Sequence, residues 1–106
     1  MIEIEESTGN VYQDLGYEAA EEMLIKAQLA SKISEIIKNR QLSQQQAAII
    51  LGIPQPKLSN LLRGQFRGIS EQKMFDCLTK LGRDVKIVVS PEKPTVSVGH
   101  IAVEFA

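Results

Sequence analysis

Between positions 43 and 67 the chain carries an unusual share of side chains suited to reading a charged, hydrogen-bonding surface: Ser43, Gln44, Gln45, Gln55, Pro56, Lys57, Ser59, Asn60, Arg63, Gln65 and Arg67. The chemistry these types offer is recognition rather than bond breaking. The carboxamides of Gln55 and Asn60 each present a donor beside an acceptor, the combination that pairs bidentately with an adenine edge. Arg63 and Arg67 carry forked cations suited to phosphate, and with Gln65 they follow closely enough to reach the flanks of whatever Gln55 and Asn60 touch. Ser43 with the backbone amides of Gln44 and Gln45 would offer a helix amino terminus to another phosphate. Nothing elsewhere competes as a catalytic centre. His100 is the single histidine, no glycine-rich nucleotide loop is present, and no spacing of ligands suits a metal. Glu5, Glu6, Glu21 and Glu22 are acids on an arm or at a helix start, where they are solvated and suit the helix dipole. The expectation is therefore a binding protein, not an enzyme, with no cofactor and no metal.

The 106 residues, 43% hydrophobic and 24% charged, are enough for one domain with one modest core. The longest apolar run, Ala47 to Leu51, is far short of the roughly 18 residues needed to span a bilayer, and the acidic start does not resemble a signal peptide. A lone cysteine, Cys77, fits a reducing compartment and reads as a small core residue, so the expected location is cytoplasmic. The net charge of −1 hides a division. Residues 1–31 hold seven acids and one base, residues 32–86 hold ten bases and four acids, and the last twenty sum to −1. A basic middle is the footprint of a phosphate-binding surface, whereas the acidic head should repel DNA and suit a basic partner.

Those side chains need elements to hold them. Residues 1–17, with turn formers and no helical period, read as an irregular acidic arm. From about Glu18 to Asn39, Met23, Ala27, Ala30, Ile33 and Ile37 recur at helical steps and predict a first core helix, with Leu24, Ile25, Leu29 and Ile36 off that stripe. Ser43 with Gln46 three residues on predicts a capped second helix over Gln44–Leu51, stopped by Gly52. A third helix should cover about Gln55 to Arg63 and end at Gly64; Pro56 would fall in its first turn, where backbone donors are unpaired anyway. A fourth should start at Ser70, carry apolar Met74, Phe75, Leu78 and Leu81, and close at Gly82. Val85–Val89 and Val96–Phe105 around a turn predict a C-terminal β-hairpin.

Helices two and three, joined only by Gly52-Ile53-Pro54, resemble a helix-turn-helix, with Ala48, Gly52, Leu58 and Leu61 at the positions that set its packing. Ala48 would let the two backbones approach, Gly52 would take a positive φ, and Leu58 and Leu61 would share one face. Pro54 stands where related sequences usually carry a capping Ser or Thr. More closely, the words Ser7 to Gly16, QPKLSNLLRGQFRGIS and LTKLGRDVKIVV are similar to the Cro/C1-type, or XRE, family, and within it to antitoxins of HigA type. This resemblance covers residues 7–90. It implies a DNA-facing role for Gln44, Gln55, Pro56, Lys57, Ser59, Asn60, Arg63 and Arg67, and a RelE-like toxin as partner.

Together these expectations describe a mainly α, four- to five-helix, lambda-repressor-like DNA-binding domain over residues 18–82, with residues 83–106 as a hairpin and dimerisation element. The implied function is that of a homodimeric, sequence-specific repressor on a double-stranded DNA operator, autoregulating a type II toxin-antitoxin pair. A stand-alone XRE regulator is the alternative, and so is a protein-interaction module that has lost DNA binding.

Overall fold

The computed structural model describes residues 12–94 and 98–106, with side chains from residue 19 onward. Its described elements are α1 (Tyr12–Asn39), α2 (Gln44–Leu51), α3 (Gln55–Leu62) and α4 (Glu71–Lys80). The bounds of α2 and α4 follow from their caps. Ser43 and Ser70 sit in extended conformation, and each hydroxyl accepts from the backbone N–H three residues on, from Gln46 and Lys73 respectively. Each thereby satisfies a donor that the first helical turn leaves unpaired. α3 starts differently: Pro54 makes no side-chain cap, but its carbonyl accepts from the N–H groups of Lys57 and Leu58 at 3.0 and 3.1 Å. Gly64 and Gly82, both at positive φ, follow the last two helices.

α1 packs chiefly on α4 and α2 on α3, and the α1–α3 and α2–α4 contacts close the bundle. Ile33, Ile36, Leu51, Leu58, Leu61, Met74 and Cys77 are all but inaccessible. Burying one such aliphatic side chain stabilises the fold by about 1.5–3 kcal/mol, and α2 and α3, eight residues each, are too short to persist without it. Burial pushes the Cys77 thiol pKa up, as suits a core side chain rather than a reactive one.

Three expectations change. α1 begins at Tyr12, so residues 12–17 are helical and not an irregular arm; residues 1–11 lie outside the described residues. The buried face of α1 is also wider than the expected stripe: Ala30, Ile33 and Ile37 are buried as read, Ile25, Leu29 and Ile36 beside them also belong to the core, Met23 and Ala27 are only partly covered, and Leu24 is exposed. The cause is a wider contact, since α1 touches both α3 and α4.

The C-terminal β-hairpin is the third correction: no strand occurs among the described residues, residues 95–97 lying outside them. Residues 98–106 lie instead along α1. His100 Nδ1 is 3.3 Å from Glu21 Oε2, Val103 is half-buried against the core, and Lys32 Nζ stands 5.3 Å over the Phe105 ring. His100 meets Glu21 and Phe105 meets Lys32, so the segment follows the helix in the same direction. A two-stranded hairpin is marginal on its own, and here residues 98–106 pack on a helix, so that among the described residues no strand pairs with Val85–Val89.

Candidate nucleic-acid interface

The turn between α2 and α3 is built around one backbone conformation. Gly52 adopts φ 68° and ψ 33°, and its N–H donates to the carbonyls of Ala48 at 2.8 Å and Ile49 at 3.2 Å. A left-handed residue here ends α2 and redirects the chain within two residues, which is why glycine suits the position. Ala48 is buried where the two helices meet. From α4, Lys80 Nζ donates to the Leu51 carbonyl at 3.2 Å and pairs with Asp76 at 3.2 Å. A cation thus sits on the carboxyl end of α2, where the helix dipole favours it. The Lys80 ammonium in turn holds the Asp76 carboxyl below the usual carboxylate range, with desolvation opposing and Lys73 assisting.

Leu58 and Leu61 anchor α3 in the core. That anchoring leaves Gln55, Pro56 and Lys57 exposed at its amino end, with Ser59 and Asn60 half-buried on its flank. Arg63, the residue that ends the helix, is exposed but not free: Nη1 donates to Ser59 Oγ at 2.9 Å and Nη2 to Asn60 Oδ1 at 2.5 Å. The three therefore form one hydrogen-bonded cluster, a grouping that the sequence reading did not anticipate. Beyond Gly64, the Gln65 N–H donates to the Asn60 carbonyl at 2.8 Å, and buried Phe66 and Ile69 pin the loop, presenting Gln65 and Arg67 outward.

Ser43, Gln44 and Gln45 are exposed at the start of α2, about 12 Å of helix away from the turn. The Ser43 side chain and backbone N–H are both engaged with Gln46, in a reciprocal capping box. What that terminus offers an anion is chiefly the N–H groups of Gln44 and Gln45.

Sequence reasoning missed Lys26. Only 5% exposed, it lies between core residues Ile25 and Leu29 on α1, donates to the Arg67 carbonyl at 3.0 Å, and pairs with Glu22 at 3.3 Å. It fixes the backbone of the loop that presents Arg67. The signal available in the sequence was the Glu22, Lys26 spacing of four beside two residues that prove to be core.

This arrangement, two short helices around a left-handed glycine, is matched by comparison. The helix-turn-helix domain family matches residues 11–90. A solved structure described as an XRE-family transcriptional regulator is 36% identical, with a TM-score of 0.75 over 82% of this chain and 98% of that one. The chain belongs to the XRE helix-turn-helix family. No curated protein matches it. In this XRE-family chain, α2 and α3 are the two helices joined by the Gly52 turn. No group of metal-ligating side chains and no helix long and apolar enough to cross a membrane occurs among the described residues.

Proposed function

We propose that this protein is a sequence-specific, DNA-binding transcriptional repressor that acts as a homodimer on a double-stranded operator. One observation carries the reading: α3 is clamped to the core by Leu58 and Leu61 and turns Gln55, Lys57, Ser59 and Asn60 away from it. A helix fixed in this way can lie in the major groove with amides at base edges, while Arg67 and the amino end of α2 meet phosphates. The likeness to an XRE-family transcriptional regulator supports the same role. A mobility-shift titration tests it, with the duplex upstream of the protein's own gene set against a scrambled duplex of equal composition. Retardation of the upstream duplex at lower protein concentration is the expected result; equal retardation of both counts against sequence-specific repression.

The dimer rests on the C-terminal segment, where Ile87, Val88, Val89, Val98 and Ile101 are exposed apolar side chains among the described residues. A second copy of the same segment is the simplest cover, and two recognition helices about 34–36 Å apart would meet successive turns of a duplex. Truncation after Ser90 should convert the dimer to monomer in sedimentation. The finer reading, an autoregulatory antitoxin of a type II pair, is supported by the HigA-type resemblance of the words flanking the paired helices. A RelE-like toxin encoded beside the gene, whose growth arrest co-expression relieves, would bear it out; a gene without such a neighbour would favour a stand-alone regulator.

A further inference from the structure

We propose that Arg63 is a specificity-determining residue of the α3 surface, which fixes the Asn60 carboxamide for base reading rather than neutralising a phosphate. The inference rests on the DNA-binding reading above and deepens it. A carboxamide reads a base only if its two ends are told apart. Adenine needs an oxygen opposite its amino group and an N–H opposite its ring nitrogen. The terminal torsion of asparagine is broad and nearly two-fold, so an unrestrained Asn60 would present either end.

The guanidinium removes that ambiguity. It can only donate, so the amide end that it contacts at 2.5 Å must be Oδ1, and the NH₂ group is left pointing away from it. A second contact, Nη1 to Ser59 Oγ at 2.9 Å, ties the other arm of the guanidinium to the helix, so that the fork holds two residues at once. The spacing allows it, because Ser59 and Asn60 lie four and three residues before Arg63 and share its side of the helix. Arg63 also caps the carboxyl end of α3, where the dipole keeps a cation close. Asn60 retains one oxygen lone pair and both N–H donors, which suffices for an adenine edge, and its orientation is set before DNA arrives. A lysine would keep the charge but not the fork.

The test uses the full chain and a pool of random-sequence duplexes, from which the wild-type protein selects a preferred sequence. The base pair read by Asn60 is the one at which Asn60→Ala loses discrimination. Arg63→Lys is expected to lose discrimination at that same pair by about tenfold, the scale of one bidentate base contact. The double variant Asn60→Ala with Arg63→Lys should lose no more there than Asn60→Ala alone. Wild-type discrimination retained at that pair in Arg63→Lys would overturn the proposal, as would additive losses in the double variant or an Asn60→Ala that loses discrimination nowhere. A wild-type protein that enriches no sequence would overturn the repressor reading itself, and the proposal with it.

Discussion

The segment from Ser43 to Leu81 and the segment from Val85 to Phe105 are both well supplied with aliphatic side chains, yet they end in opposite conditions. In the first, Leu51, Leu58, Met74 and Cys77 are sealed from solvent. In the second, Val88, Val89 and Val98 are each at least 85% exposed. The difference lies in where the backbone finds its partners. A helix closes its hydrogen bonds within itself, so a cap and one apolar face are enough to commit it to a core. A strand must borrow a neighbour, and its apolar alternation stays unused until one is supplied. Apolar pattern alone therefore does not make a core.

Truncating the sealed region is the largest expected break in that comparison. Leu58→Ala should lower unfolding free energy by about 2–5 kcal/mol, whereas Val89→Ala, measured at dilutions where the chain is monomeric, should stay within about 0.5 kcal/mol. Urea denaturation of both would decide it, and equal losses would erase the distinction. Gly52→Ala comes next. A Cβ there meets only Lys80 Nζ at 3.5 Å, so the cost is the positive φ, roughly 1–2 kcal/mol. Ser43→Ala removes the α2 capping box and should cost about 1 kcal/mol, seen as a lower Tm, with Ser43→Gly costing less.

The smallest effect is a pH dependence. Because Lys80 lowers the Asp76 pKa in the folded state, the stabilisation is present above the ordinary carboxylate pKa and is lost as pH falls through the lowered one. Asp76→Asn should therefore flatten part of the stability loss below about pH 4, and the effect should fade with added salt, since the pair is solvent-exposed.

Much of the helical part was legible because its signals are local. Ser43 and Gln46, Gly52, Ser70 and Gly82 each act within a few residues of themselves, and α2 and α4 run between them as read. What was not legible depends on distance along the chain. The width of the α1 face, which takes in Ile25 and Ile36 beside the periodic stripe but leaves Leu24 exposed, is set by its contacts with α3 and α4, and no periodicity within α1 fixes its edges. The hairpin was misread for the same reason: alternation from Val85 onward states which side chains are apolar, not that Val103 and Phe105 pack on α1. At the candidate site, residue types pointed to Asn60 and Arg63 separately. Their joining through Arg63 Nη2 is a matter of rotamers, which composition does not carry.

Several basic side chains of this fold reach other parts of the protein: Lys26 to the Arg67 carbonyl, Arg40 to the Leu81 carbonyl, and Lys80 to the Leu51 carbonyl, with Lys32 and Lys73 paired to Glu35 and Asp76. A duplex wears a sheath of condensed cations and sheds about 0.9 of one for every phosphate a protein neutralises. Side chains already engaged with carbonyls or carboxylates are less available to a phosphate and should contribute less to that release. The ionic-strength dependence of binding should then follow the outward cations near α3, Lys57 and Arg67 foremost, and be shallower than the ten bases between residues 32 and 86 would imply. If the proposed DNA binding holds, its affinity should fall less steeply with added salt than the sequence, counted charge by charge, would promise.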